Sequence, residues 1–251
     1  MSMHYRSLVS LSSLALLALG ACGDDGGSGG GGAKAAASRS VSSAQNIKSA
    51  EDDASGDSAL AGINALQADL QIIVQQQQLA DLQARTGALT QAMALSADCV
   101  SQAGGVTTYT DCTVAPATMS GTVTVSGDTV NFDITGDIDP DAYNGPLDAA
   151  AQGGAGISIT LDSVSFTESG NLTISSSAIE GTVNVNISLT LTTDFPGIGP
   201  QTSTQDTPIK ADFDVDLDAN GCAVGGSLTV TSGQTTATAD YGPACGDVTL
   251  R

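Results

Sequence analysis

The chain has one imidazole and no indole: His4 is its sole histidine, and none of its 251 residues is tryptophan. A protein with its only His in the first few residues cannot build a Ser-His-Asp or Cys-His nucleophile, nor a His-ligated zinc or iron centre. No P-loop, dinucleotide glycine pattern or nucleophile elbow is present. Paired carboxylates could still run glycoside hydrolysis. Clefts for that chemistry are usually lined by aromatics, and after residue 22 there are only four Phe and three Tyr. The expectation is a protein that is not an enzyme, with no catalytic residue and no cofactor. Positive charge is scarce as well, with 7 basic against 27 acidic residues and a net charge of −20. Beyond residue 98 the only cations are Lys210 and Arg251, facing 18 acids. Such a surface repels phosphate backbones, so nucleic acid is not an expected partner.

The first residues have the order of an export signal. Met1 to Arg6 carries one cation, and Leu8 to Leu19 is apolar but about a dozen residues long. A bilayer core needs roughly 20. Leu19-Gly20-Ala21-Cys22 follows, and this stretch resembles the bacterial lipobox. The resemblance covers the first 22 residues and implies cleavage before Cys22, with acyl chains on that cysteine. Two or three such chains hold a protein stably to a membrane. The implied partner is therefore the membrane, reached through the lipid. In lipoproteins of this kind an Asp directly after the cysteine often retains the protein in the inner membrane. Gly23 stands there instead, which points to the outer membrane.

Gly23 to Gly32 is nearly all glycine, and Ala33 to Asp57 is small, polar and charged. Such composition rarely buries enough apolar surface to offset its ordering entropy. It reads as a tether over 22–57, spanning on the order of 33 Å as a coil. The division expected is 1–21 signal peptide, 22–57 lipidated cysteine and tether, and 58–251 a single domain.

Four cysteines remain, Cys99, Cys112, Cys222 and Cys245. An even number in an exported chain predicts two disulfides. Three pairings exist; Cys99–Cys112 and Cys222–Cys245 are preferred because each joins near neighbours.

Ser58 to Ala97 contains no Pro and is rich in Ala, Leu and Gln, all fair helix formers. Leu60, Ile63, Leu66, Leu70 and Ile73 mark one helical face, and Leu79, Leu82, Leu89 and Met93 resume it. A continuous helix would run about 60 Å, against roughly 40 Å for the whole domain. It must kink, overhang or follow an elongated sheet. A coiled-coil oligomer would also suit the stripe, but a monomer is expected.

From Val106 the period changes to two. Val130, Phe132 and Ile134 alternate with Asn131 and Asp133, and Ile209 to Leu217 alternates with Lys210, Asp212, Asp214 and Asp216. Gly-containing turns separate the runs. One apolar and one wet face is the mark of an antiparallel meander. The fold class expected is α+β, mainly β: a long N-terminal helix packed on the apolar face of a curved, half-barrel-like meander of nine or ten strands. The shape is loosely similar to the half-barrels of envelope lipoprotein carriers, an analogy of architecture alone. Type IV pilins also set a long helix before a disulfide-closed sheet, but their prepilin cleavage pattern is absent.

One candidate metal site stands out. Asp216-Leu217-Asp218-Ala219-Asn220-Gly221 matches the opening of a calcium loop, with Asp214 one step upstream. The acid due at loop position twelve is replaced by Ser227. The alternative is a solvated strand ending in an Asn-Gly turn. Asp137, Asp139 and Asp141 form a second cluster of the same kind. Two functions remain: an envelope lipoprotein with a structural or interaction role, or a carrier holding a lipid or other apolar ligand between helix and sheet.

Overall fold

The alternating segments form a single sheet of ten antiparallel strands, each hydrogen-bonded to its neighbours in sequence. The computed structural model describes residues 31–49, 57–78, 99–114, 117–141 and 158–251. The strands are β1 (Val100–Ala103), β2 (Val106–Val114), β3 (Ala117–Ser126), β4 (Thr129–Ile138) and β5 (Ser158–Ile174). They continue as β6 (Ala178–Phe195), β7 (Gly199–Leu217), β8 (Ala223–Ser232), β9 (Thr235–Tyr241) and β10 (Val248–Leu250). The sheet is not closed, and β1 and β10 are its edges. With two helices before it, α1 (Gly31–Ser49) and α2 (Asp57–Gln78), the chain is α+β and mainly β.

Local chemistry explains the strands. In β4, Val130, Phe132 and Ile134 are buried while Asn131, Asp133 and Thr135 are exposed, the pattern of a strand with one wet face. The Ile159–Leu161 and Leu172–Ile174 runs belong to one strand, β5. A bulge at Asp162, between the pairs Leu161–Leu191 and Ser163–Thr190, switches the buried positions from odd to even numbers. Glycine and phenylalanine alternate across β4 and β5: Phe132 faces Gly170, and Gly136 faces Phe166. A Cβ at Gly170 would lie 2.3 Å from the Phe132 ring, and one at Gly136 2.5 Å from Phe166. Each ring therefore occupies the space that a side chain opposite would need.

The tether does not hold over residues 31–49, which form α1. Its composition is poor in large apolar residues, but their spacing is helical. Ala33, Ala36, Ala37, Ser40, Val41, Ala44 and Ile47 are all buried, and Ala is the best helix former. Small residues let α1 and α2 approach closely. A Cβ on Gly62 would lie 2.8 Å from Ile47 Cγ1 and 3.1 Å from the Ser43 carbonyl oxygen. The α2 stripe, Leu60, Ile63, Leu66, Leu70 and Ile73, is buried as its period predicts. α2 is described to Gln78; the Leu79–Met93 continuation lies outside the described residues, as do the signal segment, Cys22 and most of the 139–156 connection. Among the described residues no helix is long and apolar enough to cross a membrane.

Residues of both helices and of the inward face of the sheet belong to one buried cluster. A smaller cluster, Leu161, Val164, Leu189 and Leu191, lies where β5 and β6 run on past β4. α1 is also fixed by polar bonds. The Tyr241 hydroxyl donates to the Ala37 carbonyl at 2.8 Å, and Gln45 Nε2 donates to the Gly221 carbonyl at 2.9 Å. Lys48 in the last turn binds the Asp128 carboxylate and the Ile174 carbonyl, placing a cation at the negative end of the helix dipole.

Candidate functional site

Both disulfides form in the preferred pairing, Cys99–Cys112 with Cα atoms 5.2 Å apart and Cys222–Cys245 at 5.5 Å. A bulge in β2 between Tyr109 and Cys112 turns Cys112 inward. At that bulge Asp111 has φ of 48°, a left-handed conformation in which Asp and Asn are enriched. Its N–H donates to Ser120 Oγ at 2.9 Å. The second disulfide joins the β7–β8 turn to the segment before β10.

The calcium candidate comes apart. Asp214 and Asp216 stay on an extended strand, opposite Ser227 and Gly225 of β8, so their Cα atoms lie about 7 Å apart along it. Asp218 Oδ1 accepts the N–H groups of Asn220 and Cys222, each at 2.9 Å, and Oδ2 accepts Asn220 Nδ2 at 3.3 Å. The Cys222 and Asn220 backbone bonds hold the Asp218 carboxyl below its usual range. It acts as a turn cap, and Asn220 spends its amide on that cap. Asp139 likewise caps its own turn, accepting the Asp141 N–H at 3.0 Å. Among the described residues no three of His, Cys, Asp and Glu lie close enough together to hold a metal ion. A D-x-D-x-N-G pattern needs a chain that curls; here it straddles the end of a strand.

The wet face carries ladders of hydroxyl and carboxylate. Thr192 Oγ1 donates to Asp162 Oδ2 at 2.6 Å, Thr190 and Thr204 hydroxyls meet at 3.2 Å, and Thr229 and Thr238 at 3.3 Å. A shallow cleft of about 340 Å³ opens on this face, lined by Ser169, Asn184, Asn186, Pro208, Lys210 and Thr231 among others. Its one cation, Lys210, is paired with Asp212 at 2.9 Å. Partial burial raises the Asp212 carboxyl, but the bonds from Lys210 and Thr182 outweigh it and hold the group below its ordinary range. Val185, Ile209 and Pro208 line the cleft together with these amides and hydroxyls, and no aromatic residue does.

Two buried acids escape the composition-level reading. Glu168 is 1% exposed, and its Oε2 has no hydrogen-bond partner. It stands at an apolar position of β5, between Ile134 of β4 and Val185 of β6. Burial pushes its carboxyl up from 4.5 to about 8, so the acid is uncharged there at neutral pH. The signal was visible in sequence: Phe166, Glu168, Gly170 and Leu172 share one parity, and an acid falls where the alternation calls for hydrocarbon. The second acid, Asp69 of α2, binds Arg39 of α1 through Nε at 2.9 Å and Nη2 at 2.8 Å. Burial raises Asp69 from 3.8 to about 6, with Arg39 opposing. Tyr241 is pushed above its usual range by burial, and further by the Asp69 charge. Arg39, Asp69 and Tyr241 therefore form a polar joint between α1, α2 and β9. That joint was invisible to a reading that took residue 39 as tether. No protein-family model, no curated protein and no solved structure matches this chain.

Proposed function

We propose that the chain is an envelope lipoprotein with a structural or interaction role, held to the outer membrane by lipid on Cys22 and not a catalyst. In this reading the α1–α2 hairpin covers and fills the apolar face of a curved, half-barrel-like sheet. One observation carries it: residues of both helices and of the sheet's inward face share a single buried cluster, in which Ala36, Ala37, Ile47 and Leu70 have no exposed surface. A carrier needs that volume for its ligand. The cleft, by contrast, opens on the polar face. The non-catalytic part rests on the residue inventory, with His4 the only imidazole.

With lipid on Cys22, eight residues separate the anchor from α1, and a fully extended stretch of that length reaches at most about 29 Å. The domain would then be held close over the headgroups. Native mass spectrometry of the detergent-extracted protein tests the function. The expected mass per chain is polypeptide plus acyl groups. A stoichiometric co-purifying apolar molecule would instead establish the carrier. For the anchor, Cys22→Ser is expected to abolish metabolic acyl labelling, and label retained by that variant would end the lipoprotein reading.

A further inference from the structure

The outer strands β1 and β10 are only four and three residues long, the usual way of blunting a sheet edge. β7 is different. It has 19 residues, and its pairing with β8 begins only at Ile209, opposite Ser232. Its first half, from Gly199 to Pro208, pairs with β6 alone among the described strands. Pro200 through Thr204 are exposed.

The direction of the backbone groups on that edge follows from two backbone hydrogen bonds at the end of the strand. Leu217 N–H donates to Ser177 on the β6 side at 2.7 Å, and Asp218 N–H donates to Cys222 on the β8 side at 2.9 Å. The β6–β7 register runs without a break from Ala178–Asp216 to Phe195–Gly199. Alternation along a strand then turns odd-numbered N–H and C=O groups toward β6 and even-numbered ones away. Pro200 and Pro208 are both even, so neither removes a bond to β6. Thr202, Thr204 and Asp206 present outward N–H and C=O groups between them.

The segment between the prolines reads Gln201-Thr202-Ser203-Thr204-Gln205, the same in both directions. We propose that this edge pairs with the same edge of a second copy, antiparallel about a two-fold axis at Ser203. Thr202 of each copy lies opposite Thr204 of the other, and the two pairs exchange four backbone hydrogen bonds. Gln201 lies opposite Gln205. With the axis at Ser203, Pro200 of each copy lies opposite Asp206 of the other and, having no N–H to give, ends the ladder at both ends. Thr202 and Thr204 already meet Thr192 and Thr190 of β6 at 2.8 and 3.2 Å, so the dimer continues a threonine row across four strands. Threonine pairs are favourable cross-strand neighbours. Charge selects the same place. In a chain of net charge −20, no residue from Phe195 to Gln205 is charged, so two copies meet here without opposing carboxylates. The sequence predicts a monomer rather than a coiled coil through the helix stripe; this contact uses a different surface.

The test uses the full chain. Sedimentation analysis is expected to give twice the chain mass, and Thr204→Pro to return it to one, because that proline deletes an outward N–H and none toward β6. A Ser203→Cys chain is expected to cross-link, since non-hydrogen-bonded partners on the axis lie about 4.5 Å apart at Cα, within disulfide reach. Gln201→Cys is expected not to, its mate being about 14 Å away along the strand. A parent that sediments at one chain mass at high concentration overturns the proposal. So does a dimer in which Gln201→Cys links as readily as Ser203→Cys, whatever Thr204→Pro does to folding.

Discussion

Glu168 on β5 and Ile134 on β4 are register partners, so a carboxyl group and a hydrocarbon side chain sit side by side on the inward face. The consequence is a pH dependence with a definite sign. The folded-state value is about 8 against an ordinary 4.5. Below pH 4.5 both states hold the proton and the acid carries no penalty. As pH rises from 4.5 toward 8 the unfolded chain releases its proton while the folded one keeps it. Stability falls across that window by up to about 1.4 kcal/mol per pH unit, and levels off above it. Glu168→Gln cannot titrate. Urea unfolding at pH 5 and pH 8 is expected to show a large loss for the parent and a much smaller one for the variant.

Asp69 adds a second, lower window. Its folded value of about 6 against 3.8 means that stability declines as pH climbs from about 4 to 6. Arg39 limits the effect by favouring the charged form. Arg39→Ala is therefore expected to move the Asp69 titration, followed by carboxyl carbon resonance, upward from its parental value. An unmoved midpoint would mean that the ion pair at 2.8 Å does not persist in solution.

The strands were legible in sequence because a half-buried sheet writes its geometry as period two, and ten strands fell within the expected nine or ten. The pairing of Cys99 with Cys112 and of Cys222 with Cys245 followed from proximity along a meander whose strands pair in order. What escaped did so for physical reasons. α1 buries alanines and serines, whose small apolar surface looks like tether composition although its three-four spacing is helical. In β5 the Asp162 bulge reverses the parity, so no single period-two pattern runs from Ile159 to Ile174. The Asp214–Asn220 pattern resembled a cation loop because spacing in sequence does not say whether a segment curls or extends.

α1 is a working part of the core, which the truncated domain 58–251 would lack. Removing residues 31–49 strips the partners of Tyr241, Asp69 and Gly62, so a chain starting at residue 57 is expected to melt far below the full chain. Tyr241→Phe keeps the ring and deletes only the bond to the Ala37 carbonyl. It is expected to cost about 0.5–1.5 kcal/mol in denaturant unfolding, the net worth of one buried hydrogen bond, because the Ala37 carbonyl keeps its bond within the helix. A truncated chain that melts with the parent would show α1 to be dispensable.

The disulfides close loops with sequence separations of 13 and 23 residues. In the chain-entropy model each contributes about 3 kcal/mol. Cys99→Ser with Cys112→Ser, and Cys222→Ser with Cys245→Ser, are each expected to lower stability by roughly that amount. Non-reducing peptide maps should link the same pairs in the parent protein.

Tyr241 and Ala37 are 204 residues apart, and the other polar bonds from α1 to the sheet and its turns reach Gly221, Asp128 and Ile174. A chain is made from its N-terminus at about 5–20 residues per second. The residues of α1 are therefore made on the order of ten to forty seconds before the last strand they dock against has been synthesised. The meander has no such wait, because every strand pairs with the one made just before it. The helical hairpin is made before any strand of the sheet. The alanine-rich face of α1, with so few large side chains, leaves little for other chains to stick to in the interval.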